Sequence, residues 1–87
     1  DVREPDEWEL GRAPQASHLP LSTLQPAQLP TGRPIIAMCR TGNRSGKAAA
    51  QLAAAGHDAT NIVGGMQAWH AAGFPVVVDG GAPGVVK

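Results

Sequence analysis

Tyrosine is absent, phenylalanine occurs once and tryptophan twice, so aromatic side chains cannot dominate the interior of this chain. Cysteine occurs only once, at Cys39. A single thiol excludes an internal disulfide and fits a reducing compartment. No apolar run approaches the roughly 18 residues of a membrane span, and no signal-peptide pattern is present, so the cytoplasm is the expected location. An excess of either charge is also missing. Seven basic and seven acidic residues balance to a formal charge of zero, which argues against nucleic acid or an anionic membrane as the main partner. At 87 residues there is room for one small domain of modest stability.

What is present centres on residues 38–47, Met-Cys-Arg-Thr-Gly-Asn-Arg-Ser-Gly-Lys. Ahead of it, Ile35-Ile36-Ala37-Met38 has the length and composition of a β-strand and is bounded by Pro34. Behind it, the alanine-rich stretch 45–55 predicts a helix ended by Gly56. Strand, tight loop and helix follow one another, with the thiol at the strand's end. Backbone N–H groups entering a helix point one way and suit an anion. Arg40 and Arg44 add permanent positive charge. Gly42 allows backbone angles closed to other residues, and Asn43 or Ser45 is a candidate helix cap. A thiol in such surroundings should be largely thiolate near neutrality, hence reactive. The bland alternative is a buried core cysteine.

The loop Cys39-Arg40-Thr41-Gly42-Asn43-Arg44-Ser45 resembles the active-site loop of single-domain rhodanese-like sulfurtransferases. Asp1-Val2-Arg3-Glu4 is similar to the aspartate-x-arginine signature near the start of that domain, and Ser17-His18-Leu19-Pro20-Leu21 to its short second motif. Gly64-Gly65-Met66-Gln67-Ala68-Trp69 is similar to its glycine-glycine-x-x-x-tryptophan. Four motifs in the family's order span roughly residues 1–78. The resemblance implies a rhodanese-like α/β fold, a small mainly parallel sheet flanked by helices on both faces. It further implies that residues 1–79 form the domain and that a strand belongs before Asp1 and is trimmed or missing here. Glycines between Gly80 and Gly84, with Pro83, predict that 80–87 is a flexible Gly/Pro tail.

The remaining elements are read from local patterns. Pro5 opens a short helix with Asp6, Glu7 and Glu9 in its first turns, and Gly11 ends it. Between 11 and 34, five prolines permit only short pieces: a strand over 16–19, and a helix over 22–28 capped by Ser22. His18 is expected to meet backbone rather than a metal. His57 and Asp58 fall in an exposed connection. Residues 59–63 form a strand, Gly64-Gly65 a turn, and 66–72 the last helix, with Met66 and Trp69 on its core face and His70 in solvent. Residues 76–78 are a short strand or extended segment. Strands alternating with helices favour ligand binding at the strands' carboxyl ends, where Cys39 falls.

Taken together, the resemblance and the loop chemistry imply a sulfurtransferase with Cys39 as nucleophile. Sulfur would pass from thiosulfate or a persulfide donor, through a Cys39 persulfide, to cyanide, a thiol or a protein acceptor. No metal or organic cofactor is needed. Arg40, Thr41, Gly42, Asn43, Arg44 and Ser45 would bind the donor, with Asp1 and Arg3 in support. Arg40 is expected at the pocket mouth, and Arg44 partly holds the loop's shape. Two rivals are weighed. A non-catalytic or slow persulfide carrier would have the same sequence. A cysteine phosphatase or arsenate reductase would use five residues between cysteine and arginine, whereas four separate Cys39 from Arg44.

Overall fold

The computed structural model describes residues 1–87. Two parallel strands, β1 (Ile35–Ala37) and β2 (Ala59–Asn61), pair with Ile35 opposite Ala59, Ile36 opposite Thr60 and Ala37 opposite Asn61. Three α-helices accompany them: α1 (Pro5–Leu10), α2 (Asn43–Ala54) and α3 (Gly65–Ala71). The expected small parallel α/β architecture is therefore present.

The alternation of side chains along β1 creates two cores. Ala37 and Cys39 face Ala48 and Ala49 of α2, together with Val2. Met38 packs with Ala13, Met66 of α3 and Val76, flanked by Ile62 and Trp69. One helix thus covers each side of the strand and its extension. The small side chains of α2 bring its backbone close to β1, and Leu52, one turn after Ala48, completes the buried face. Met66 is fully buried and Trp69 half-buried, with its indole N–H donating to Pro75 O at 2.8 Å, as expected of core residues.

α1 begins at Pro5 and stops before Gly11, as its sequence predicts. Gly11 is needed for close approach: a Cβ there would lie 2.3 Å from Val85 O. His18 Nε2 lies 2.7 Å from Arg3 O and its ring stacks on Trp8, so it does meet backbone.

Several local expectations are corrected. Residues 16–19 form no strand: Ala16 N turns back to Ala13 O, and only isolated bonds reach the first residues, Leu19 N to Asp1 O and the Asp1 amino group to Ser17 O. Instead of one helix over 22–28 there are two 3-10 turns, Leu21–Thr23 and Pro26–Gln28. Pro26 lacks an N–H and forces Gln25 into an extended conformation, which breaks the run. Ser22 lies inside the first turn and is not its cap. β2 is two residues shorter than expected, since Gly64 and Gly65 turn the chain into α3, which starts and ends one residue early. Residues 76–78 hold single bridges, Val77 to Arg12 and to Pro83. His57 is half-buried, its Nε2 2.7 Å from Pro26 O. Asp58 and His70 are exposed. The segment expected as a Gly/Pro tail folds back: Gly84 N donates to Val76 O, Val85 N to Leu10 O, and Lys87 pairs with Asp6.

Candidate active site

β1 ends two residues before Cys39, and the chain turns through 40–42 into α2. The helix starts earlier than the alanine run suggests, at Asn43, with Gly42 as its N-cap and no side-chain cap from Asn43 or Ser45. Gly42 has φ +109°, the left-handed region that glycine enters without a Cβ penalty. This turn aims the Gly42 N–H at Cys39 Sγ, 3.0 Å away. Ser45 cannot cap because its hydroxyl faces inward, 3.2 Å from the same sulfur.

Cys39 is therefore both buried, at 1% exposure, and surrounded by donors. Burial pushes the thiol up, but the Ser45 hydroxyl and the N–H groups of Ser45, Gly42 and Thr41 outweigh it and bring Cys39 from 9.0 to about 7. Near neutrality a large share is thiolate, the nucleophilic form.

The loop carbonyls point elsewhere. Met66 N donates to Cys39 O at 2.8 Å and Gln67 N to Arg40 O at 3.0 Å. The first turn of α3 thus holds the carbonyls of Cys39 and Arg40 and Asn61 that of Gly42, while the N–H groups of Thr41, Gly42 and Ser45 favour the sulfur. Such close approach requires Gly65: a Cβ there would stand 2.3 Å from Cys39 O.

The two arginines differ. Arg44 is committed to Glu7 of α1 through Nη1–Oε1 at 2.5 Å and Nη2–Oε2 at 2.8 Å. These hydrogen bonds raise Arg44 and lower Glu7. Arg40 is exposed, and with the Gln67 amide oxygen turned toward it, Nε and Nη2 lie 3.3 and 3.2 Å away. Thr41 and Asn43 are exposed beside it. Arg3 and Asp1 lie behind this arrangement. Both side chains are fully buried and paired at 2.8 Å, and Arg3 also donates to Gly11 O and Glu7 O. They fix α1, and α1 presents Glu7 to Arg44.

Of the loop residues expected from sequence, Thr41, Gly42 and Ser45 turn donors to the sulfur, Arg44 is held by Glu7, and Arg40 and Asn43 are exposed, while Asp1 and Arg3 pair behind the loop. Sequence reading missed Glu7, Gln67 and Asn61. Asn61 Oδ1 is 2.5 Å from Ser45 Oγ, and its Nδ2 donates to Gly42 O at 3.1 Å. Its place at the carboxyl end of β2, next to that of β1, was the available signal.

Comparison with known proteins agrees with this geometry. The family model described as Rhodanese-like domain matches residues 1–72. The chain belongs to the rhodanese-like domain family. That places it in a sulfurtransferase family. A rhodanese-related protein from Thermoplasma volcanium, known from a crystal structure, superposes with a TM-score of 0.84 at 32% identity, covering 90% of this chain and 80% of that one. An uncharacterized protein from Synechocystis is 43% identical over 86 residues, 95% of this chain. The chain spans about half of that relative's length, 48%. No helix is long and apolar enough to cross a membrane.

Proposed function

We propose that this rhodanese-like domain transfers sulfane sulfur through a persulfide on Cys39. The observation that carries this reading is the Cys39 sulfur, held at a strand's end between the Gly42 N–H and the Ser45 hydroxyl and lowered to about 7. The thiolate attacks the outer sulfur of thiosulfate or a persulfide. A new S–S bond forms, the donor's own S–S bond breaks, and sulfite or a thiolate leaves with the electron pair. The loop N–H groups stabilise the anionic terminal sulfur. Cyanide or a cellular thiol, free or on a protein, then takes that sulfur and Cys39 leaves as thiolate again, which is ping-pong chemistry. Arg40 attracts the donor's anionic end at the loop mouth, flanked by Thr41 and Asn43, while Arg44 braces the loop through Glu7. A lone thiol of this kind suits the cytoplasm.

A phosphatase reading is weaker, since Arg44 is held by Glu7 instead of standing over the loop. A persulfide carrier with little turnover has one observation in its favour, the 1% exposure of Cys39. Intact-protein mass after thiosulfate treatment tests the central reading. One added sulfur is expected on the protein and none on Cys39→Ser; a wild-type mass that stays unchanged defeats it. Repeated turnover with cyanide as acceptor separates the enzyme from the carrier.

A further inference from the structure

The Ser45 hydroxyl carries one proton and faces two acceptors. Cys39 Sγ lies 3.2 Å from Oγ on one side, and Asn61 Oδ1 lies 2.5 Å from it on the other. Ser45 is fully buried, so these two compete for the same hydrogen. The orientation of the Asn61 amide is set by its other end. Nδ2 donates to Gly42 O, and turning the amide over would bring its oxygen against that carbonyl. Asn61 therefore presents an acceptor to Ser45.

We propose that Asn61 is a positioning residue for the nucleophile: its amide oxygen competes with the Cys39 sulfur for the single hydroxyl proton of Ser45, and so sets the balance between thiol and thiolate. With Cys39 protonated, the S–H donates to Ser45 Oγ and Ser45 donates to Asn61. When the thiolate forms, the hydroxyl proton turns to sulfur and two oxygens are left facing each other across 2.5 Å. Asn61 thus opposes the thiolate, and the loop N–H groups favour it. The residue acts through Ser45 and touches no reacting atom. This inference deepens the proposed function and rests on Cys39 being its nucleophile.

The charges around the sulfur do not supply this effect. Arg3 reaches it from the N-terminal segment and Arg44 from α2, with Glu7 of α1 paired to Arg44. Arg40 follows it in the chain, β2 carries no charged residue, and α3 has only the exposed His70. All remain in place when Asn61 is changed.

The test is the pH dependence of Cys39 alkylation by iodoacetamide, which reads the only thiol in the chain and involves no sulfur transfer. Asn61→Ala frees the hydroxyl for the sulfur, and its midpoint should fall by about one pH unit, a roughly tenfold gain in reactivity on the acid side. Ser45→Ala should move the midpoint up by a similar amount. In the Ser45→Ala background, Asn61→Ala should have no further effect. A midpoint that stays or rises in Asn61→Ala overturns the proposal, as does an equal shift in both backgrounds, which would show Asn61 acting through the loop alone. If truncation unfolds the domain, Asn61→Asp serves, with a larger rise expected when Ser45 is present than when it is not. Equal rises again overturn it. Because alkylation is independent of sulfur donors, a protein that takes up no sulfur but keeps this order of midpoints would refute the proposed activity and leave the proton competition standing.

Discussion

Glu7 and Arg44, 37 residues apart in sequence, meet in a two-pronged ion pair that ties α1 to the first turn of α2. The Glu7 side chain is 13% exposed and that of Arg44 35%, so solvent screens the pair only partly. Removing either partner should cost about 0.5–1.5 kcal/mol after allowing for that screening. For a domain of this size each kcal/mol lowers the melting temperature by about 4–8 °C. Arg44→Ala should therefore melt several degrees lower and lose activity as the loop loosens. The pair also has a pH signature. Glu7 is lowered from 4.5 in the fold, so its contribution is complete above that value and is lost as pH falls through the folded value. Melting curves from pH 6 downward should show a steeper acid loss in the parent than in Glu7→Gln. Parallel curves would deny the pair this role.

Arg40 has no carboxylate partner and is exposed at the loop. Arg40→Ala should leave the melting temperature nearly unchanged and raise the apparent KM for thiosulfate. Exposure places the effect at the low end for a charged contact, about tenfold. Steady-state kinetics beside a melting curve will show it. Stability loss without a KM change would assign Arg40 to the scaffold.

The thiol itself should make stability depend on pH on the alkaline side. Cys39 titrates at about 7 in the fold against 9.0 when free. Between these values the unfolded chain binds more protons, so stability climbs with pH. The full difference is worth about 2–3 kcal/mol. The parent's melting temperature should rise from pH 7 to 9 relative to Cys39→Ser, which lacks the ionisation. Identical pH profiles would mean that the fold does not favour the thiolate.

Gly65 lies at φ +53°, with the Cys39 carbonyl where a Cβ would go. Gly65→Ala combines overpacking with an unfavourable left-handed backbone, about 2–4 kcal/mol together. It should also tilt the carbonyls of Cys39 and Arg40 and depress sulfur transfer. Gly73, with nothing within 4 Å of its Cβ position, is the control, and Gly73→Ala should cost less and spare activity. Similar losses in both variants would show that backbone angle, not the contact with the loop, is what matters.

What the sequence reveals and hides here divides by distance along the chain. The loop residues 39–45 form a contiguous run whose donors and charges are visible as composition, and the alternation of Ala37, Met38 and Cys39 separates the two faces. The Glu7–Arg44 pair, the Gln67 contact to Arg40 and the Asn61 contact to Ser45 join residues from different elements, and no periodicity announces them. The failures at 16–19 and 22–28 have another origin. Over 22–28 Pro26 splits the run into two turns whose bonds stay local, whereas Leu19 finds its partner, Asp1 O, only through tertiary contact.

The grip of α3 on the carbonyls of Cys39 and Arg40 bears on how the site responds to moving charge. In water, an ion that forms must reorient the solvent dipoles around it, and that work adds to the barrier. Here the Thr41 N–H that favours the thiolate is already turned, because the opposite end of the same peptide, Arg40 O, is fastened to a second helix. That reorientation is completed when the chain folds. In the proposed reaction, negative charge would move one atom outward, from Cys39 to a terminal sulfur and back, without the backbone having to follow it.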